Sequence, residues 1–195
     1  MTRWFSLVLS AAVLAIGVWF TAQGLWIPAK AVVAQHLLDR AWRESRVRSK
    51  PVKPWPWADT QPIAKLNLPG QTFVVLDDGG GESLAFAPSH VSGSAKPGEP
   101  GTTVISAHRD THFAGLGDIK TGQLLSLETA SGKRFSYKVS RREILPTPTL
   151  RLPNDGQGDK LILVTCYPFG AIDTRTQRRF ILVAERVANE YLPAP

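Results

Sequence analysis

The sequence predicts an all-β domain, closed as a barrel or packed as a sandwich, behind an N-terminal helical segment that crosses a membrane. Three observations carry this. The stretch from Trp4 to Ala29 bears no charged side chain. Four prolines, Pro51, Pro54, Pro56 and Pro62, then interrupt the chain. Beyond them, short runs rich in β-branched and apolar residues follow one another between Gly, Pro, Asn and Asp, without long helical patterns in between.

The charge-free stretch is long enough to cross a bilayer core, which takes roughly 20 apolar residues as a helix, and exceeds the ~7 to 15 apolar residues of a cleavable signal peptide. Residues 1–28 are therefore expected to be an uncleaved transmembrane anchor, with Trp4, Trp19 and Trp26 at or near the interfaces. Only Arg3 precedes the span, whereas Lys30, Arg40, Arg43, Arg46, Arg48 and Lys50 follow it. By the positive-inside bias alone, the C-terminal side would be cytoplasmic.

Residues 29–58 form a juxtamembrane helix and a Pro/Trp linker. Val32, Val33, Leu37, Leu38, Ala41 and Trp42 recur at helical spacing with charges opposite. Pro51 ends that helix, because a ring nitrogen cannot donate to the ladder, and the segment to Trp57 is expected to be extended. Trp55 and Trp57 are expected to pack on the domain surface, since two exposed indoles would be an apolar liability.

Residues 59–195 make one domain, large enough to bury a core without disulfides. Strands are predicted at Ile63–Leu68, Gln71–Leu76, Thr102–Ala107, Gln123–Thr129, Arg134–Ser140, Leu161–Cys166 and Phe180–Val187, with weaker candidates at Leu84–Ala87 and Arg142–Leu145. Ala130-Ser131-Gly132-Lys133 is read as a hairpin loop. Much of the net charge of +7 lies next to the membrane, where basic residues meet lipid head groups. No aromatic residues alternate with the basic ones, which argues against nucleic-acid binding.

The chemistry centres on Cys166, the only cysteine. An exported chain usually pairs its cysteines or lacks them, so a lone thiol at the end of the apolar run Leu161-Ile162-Leu163-Val164-Thr165 points to reactivity, although a small buried residue in a core strand would look the same. A nucleophilic thiol needs a proton-accepting or positive neighbour, because a free thiol titrates near about 8.5. His108, ending the strand Thr103-Val104-Ile105-Ser106-Ala107, is the natural partner. Acyl transfer also needs a donor for the developing oxyanion, and the arginines Arg175, Arg178 and Arg179 precede the last strand.

The order and spacing of these elements resemble the sortases. An apolar strand ends in His108, another in Leu163-Val164-Thr165-Cys166, and Arg179 opens a final strand. The family's cysteine motif reads TLxTC; Leu163, Thr165 and Cys166 fit, with Ile162 in its first position. The likeness spans most of residues 60–187, including Gly93-Ser94-Ala95-Lys96-Pro97-Gly98, Ala107-His108-Arg109-Asp110 and the hairpin from Gly122 to Val139. Trp55-Pro56-Trp57 and Cys166-Tyr167-Pro168-Phe169-Gly170 look most like the Gram-negative members.

This resemblance implies an eight-stranded β-barrel with short helices and a membrane-anchored cysteine transpeptidase. Its substrate would be an exported protein bearing an LPXTG-like sorting signal, passed through a thioester to an amine acceptor in the envelope. Cys166 would be the nucleophile, His108 the acid/base partner, and Arg179 the residue that positions substrate or stabilises the oxyanion. The loop from Pro146 to Lys160 falls where the family contacts its substrate. The catalytic domain would face the periplasm from the inner membrane, against the charge bias. No cofactor and no metal is expected, since no acidic cluster matches the calcium site of some members.

Two alternatives belong to other classes. One is a zinc-dependent hydrolase or zinc-stabilised domain using His108, His112 and Cys166, whose histidines share a face if their segment is helical. The other is a non-catalytic envelope peptide-binding module. Asp110 is a candidate to orient His108 as the third member of a triad. Gly79-Gly80-Gly81 lacks the Lys and Ser/Thr of a phosphate loop, and His90 and His36 are read as structural.

Overall fold

The computed structural model describes residues 2–77, 83–147, 158–171 and 176–187. Eight strands close into a barrel: β1 (Pro62–Leu68), β2 (Gln71–Leu76), β3 (Ser89–His90), β4 (Thr102–Ser106), β5 (Leu124–Thr129), β6 (Arg134–Pro146), β7 (Lys160–Tyr167) and β8 (Arg178–Val187). Around the barrel the order is β1, β2, β3, β4, β7, β8, β6, β5. Most neighbours are antiparallel; β2–β3 and β4–β7 are parallel.

A helix, α1 (Thr2–Arg48), precedes the barrel. Among the described residues no helix is long and apolar enough to cross a membrane, so the expected anchor is helical from Thr2 but is not a span by that measure. The chain divides into two compact units, Met1–Leu37 and Leu38–Pro195. Within the second, Leu38 and Trp42 on the last turns of α1 join Val74, Leu76, Ala87 and Ala130 in one buried cluster, and Arg46 pairs with Glu128, which also meets Arg134. The helix ends where Ser45 Oγ bonds back to the Ala41 carbonyl and accepts the Val52 amide at 2.9 Å, just past Pro51.

Strand alternation builds the core. β1 alternates buried and half-buried residues from Pro62 onward, and Ala64, Leu66, Leu125, Leu127, Leu161, Leu163, Leu182 and Ala184 fill the interior. Each such aliphatic chain contributes about 1.5–3 kcal/mol by leaving water, except the smaller alanines. The β5–β6 hairpin turns at Gly132, whose φ of 83° suits a residue without a Cβ, and the Gly132 amide bonds the Thr129 carbonyl.

Four elements depart from the sequence expectation. The two predicted strands Arg134–Ser140 and Arg142–Leu145 are one, β6, whose pairing with β8 shifts register between Val139 and Arg141; the apparent break in the pattern is a β-bulge at Ser140. Leu84–Ala87 is not a strand but contains the 3-10 turn Ser83–Ala85, closed by the Phe86 and Ala87 amides on the Ser83 carbonyl. β3 is too short to leave a pattern. Trp55 packs edge-on against Phe86 at 5.6 Å as expected, but Trp57 is 79% exposed, because the Ala58 amide bonds the Trp55 carbonyl and the turn carries Trp57 outward. Gly79-Gly80-Gly81 and most of the Pro146–Lys160 loop lie outside the described residues.

Candidate active site

The site is assembled at one end of three adjacent strands. In β4 and β7, running parallel, Ser106 pairs with Val164, and the Ala107 amide continues the ladder onto the Val164 carbonyl at 3.2 Å. The paired ladder ends there; His108 follows two residues beyond Ser106, as Cys166 does beyond Val164. On the other side of β7, Cys166 pairs directly with Arg179 at the start of β8. The fold thus brings His108, Cys166 and Arg179 to neighbouring strand ends.

Cys166 and Arg179 also share a face. Leu161, Leu163 and Thr165 belong to the interior side of β7, so Ile162, Val164 and Cys166 point the other way. Ile162 and Val164 pack there with Val104, Ile181 and Val183, flanked by Val91 and Leu145. A second buried apolar cluster thus lies beneath β4, β7 and β8 on the side that carries Cys166. Cys166 is half-buried, His108 exposed and Arg179 half-buried. The Arg179 guanidinium donates through Nη1 to the carbonyls of Thr176 and Arg178, both at 3.1 Å. Arg178 pairs with Tyr167 and faces the opposite side. Arg175 lies outside the described residues.

The backbone next to the reactive residues is held by side chains. Thr165 Oγ1 donates to the Ala107 carbonyl at 2.7 Å, linking the residues immediately before Cys166 and His108. The Arg109 side chain, buried despite its charge, donates through Nη1 to the Pro168 carbonyl and through Nη2 to the Ala171 carbonyl, each at 2.9 Å. Around the turn beyond Cys166, Tyr167, Phe169 and Phe180 stack edge to face, with ring centroids 6.0 and 5.3 Å apart. The Arg142 guanidinium lies over Phe180 and donates to the Gly117 carbonyl at 2.6 Å.

The zinc arrangement is not assembled. The segment after His108 is a series of turns instead of a helix, with the Phe113 amide on the His108 carbonyl. His112 is turned to the Phe86 carbonyl and edge-on to Phe73 at 5.8 Å. Among the described residues no three His, Cys, Asp or Glu side chains are placed to hold a metal ion. Burial holds the His112 imidazole below its ordinary protonation range, and the nearby His108 acts in the same direction. Asp110 does not complete a triad in this arrangement: its carboxylate accepts from Arg109 Nε at 3.3 Å. His90 is structural, its Nε2 set against the Ala95 carbonyl and Ser94 Oγ.

These placements coincide with a known family, whose Sortase domain model matches residues 63–187. The chain belongs to the sortase family. Sortase D of Bacillus subtilis (strain 168) is 30% identical over 126 residues, which cover 64% of this chain and 61% of that relative. In fold, this sortase is similar to sortase A from Corynebacterium diphtheriae, with a TM-score of 0.61 and 23% identity over 69% of this chain and 64% of that one. It is also similar to a Clostridium perfringens sortase D5 transpeptidase, with a TM-score of 0.60 and 16% identity over 80% of this chain and 99% of that one. These relatives come from Gram-positive bacteria.

Arg109 and Thr165 were not singled out as site-shaping residues by sequence reasoning. The available signal was their adjacency to His108 and Cys166. The carbonyls they reach, however, belong to chain 58 to 62 residues away, which local pattern does not disclose.

Proposed function

We propose that this sortase is a membrane-anchored cysteine transpeptidase of the Gram-negative type, with its catalytic domain on the periplasmic side of the inner membrane. It cleaves an LPXTG-like sorting signal on an exported protein and passes that protein to an amine acceptor. One observation carries the reading: Cys166 pairs with Arg179 across the β7–β8 ladder, and His108 follows the end of β4, the strand on the other side of β7, in a sortase-family chain.

In the first half-reaction, Cys166 gives its thiol proton to His108 as Sγ forms a bond to the Thr carbonyl carbon of the signal. Arg179 offers donors to the oxyanion that develops. The Thr–Gly C–N bond breaks and His108 gives its proton to the departing amine. In the second, an acceptor amine attacks the thioester and loses a proton to His108, the C–S bond breaks, and His108 returns that proton to the sulfur as the new amide forms. Two lower barriers replace one high one. The charge-free stretch from Trp4 to Ala29 supports the anchor, and Trp55-Pro56-Trp57 with Cys166-Tyr167-Pro168-Phe169-Gly170 supports the subtype.

The test is mass spectrometry of full-length protein incubated with peptides ending in LPXTG-like signals, with and without an added amine. The expected result is an adduct on Cys166 equal to the peptide acyl fragment, discharged by the amine. Absence of any adduct while Cys166 remains open to alkylation would instead indicate a peptide-binding module. A periplasm-dependent reporter fused after Pro195 should be active; an inactive fusion with an active cytoplasmic counterpart would reverse the orientation.

A further inference from the structure

The β4–β7 backbone ladder stops just short of the two residues that must meet. Past the Ala107 amide on the Val164 carbonyl, the level of His108 against Cys166 depends on side chains. Thr165 supplies one link, ahead of both residues. The other comes after them, from Arg109.

We infer that Arg109 is a positioning residue that fixes His108 and Cys166 relative to each other by tying the chain after the histidine to the turn after the cysteine. The inference rests on the reading of His108 and Cys166 as a working pair. Arg109 follows His108 directly, and Pro168 and Ala171 lie two and five residues beyond Cys166. Its side chain is 3% exposed. A charge so withdrawn from water is tolerated only where its donors are satisfied. Here Nη1 and Nη2 each reach a different carbonyl at 2.9 Å, while Nε turns to Asp110. Charge-assisted bonds of this length are stronger than neutral ones, and the planar fork sets the two carbonyls at a fixed spacing that an ammonium cannot reproduce. Cys166 and His108 are thus bracketed by the Thr165–Ala107 bond on one side and the Arg109–Pro168 bond on the other. Loss of the second bracket frees the turn to move and lets the pair drift apart in level, without removing either reactive group.

The test is a double-mutant cycle on full-length protein, reading the rate of Cys166 alkylation by iodoacetamide alongside thermal unfolding. With Arg109 present, His108→Ala should slow alkylation on the order of tenfold, because the thiol loses its proton acceptor. In an Arg109→Met background, His108→Ala should change the rate by less than about twofold, and Arg109→Lys should fall between. A merely structural arginine would lower the melting temperature yet leave the histidine effect intact. A folded Arg109→Met protein that keeps the full His108 dependence overturns the inference. So does loss of folding in both Arg109→Met and Arg109→Lys, which makes the residue one of architecture only. If His108→Ala leaves alkylation unchanged with Arg109 present, the pair itself is wrong and the proposed function falls with it.

Discussion

Cys166 and Arg179 stand directly across from one another in the antiparallel β7–β8 ladder, with Tyr167 and Arg178 as the next pair. Because successive side chains on a strand leave opposite faces, Arg178 and Arg179 point to opposite sides of the sheet. Arg179→Lys should therefore be severely impaired in peptide turnover, since an ammonium lacks the planar donors that hold a carbonyl oxygen. Arg178→Ala should keep most of its activity. Turnover of one sorting peptide by both variants decides this; an inactive Arg178→Ala beside a normal Arg179→Lys would move the site to the other face.

Replacing the reactive groups should separate chemistry from folding. Cys166→Ala removes a half-buried thiol and should unfold at the same temperature as the parent while forming no acyl adduct. His108→Ala should lower turnover by about 10²- to 10⁴-fold through loss of proton transfer. If His112→Ala shows that loss and His108→Ala does not, the histidine has been misassigned.

Gly98 has a φ of 91°, and a Cβ there would lie 2.8 Å from Phe135 Cε2 and 3.2 Å from Thr129 Cγ2. Gly98→Ala should destabilise the protein on the order of 2 kcal/mol, combining backbone strain with crowding against a buried ring. Denaturant unfolding checks it: the midpoint should fall at unchanged slope. A midpoint equal to the parent would show that the β3–β4 connection yields freely.

Acid should weaken the fold in two separate windows. His112 is held below its ordinary value of 6.5, chiefly by burial. Just under 6.5 the unfolded chain therefore binds the proton that the folded one refuses, and stability falls as pH drops through that range. Asp159 is held below its ordinary 3.8, first by the Gly101 amide and then by Arg186. Its contribution is full above 3.8 and is lost as pH falls below it. Thermal melts across pH should show His112→Gln flattening only the upper window and Asp159→Asn only the lower. An upper window unchanged in His112→Gln would assign that loss to another group.

Much of the barrel was legible because its strands alternate or run apolar between Gly, Pro and turn residues, and Gln71–Leu76 was read with its observed bounds. Period-two alternation put Arg178 and Arg179 on opposite faces, but the choice of Arg179 came from the family resemblance; its pairing opposite Cys166 is a register that only the folded sheet displays. What escaped was non-local or too short. β3 has two residues, the Ser140 bulge mimics a chain break, and Trp57 is exposed by a turn whose geometry the prolines did not announce. His112 looked available for a metal until its partner proved to be the carbonyl of Phe86, on a segment whose proximity only the closed fold creates.

The parallel β4–β7 pairing has a consequence for the life of the chain before it is folded. The bond between Thr165 and Ala107 spans 58 residues, and a parallel pair cannot be closed by a tight turn. The crossover here contains the whole β5–β6 hairpin. Contacts of such separation form late, after the local hairpins. Until that pairing forms, the chain around Cys166 is not yet joined to the chain around His108. Whatever chemistry the two segments share is therefore a property of the closed barrel and not of any shorter piece of it.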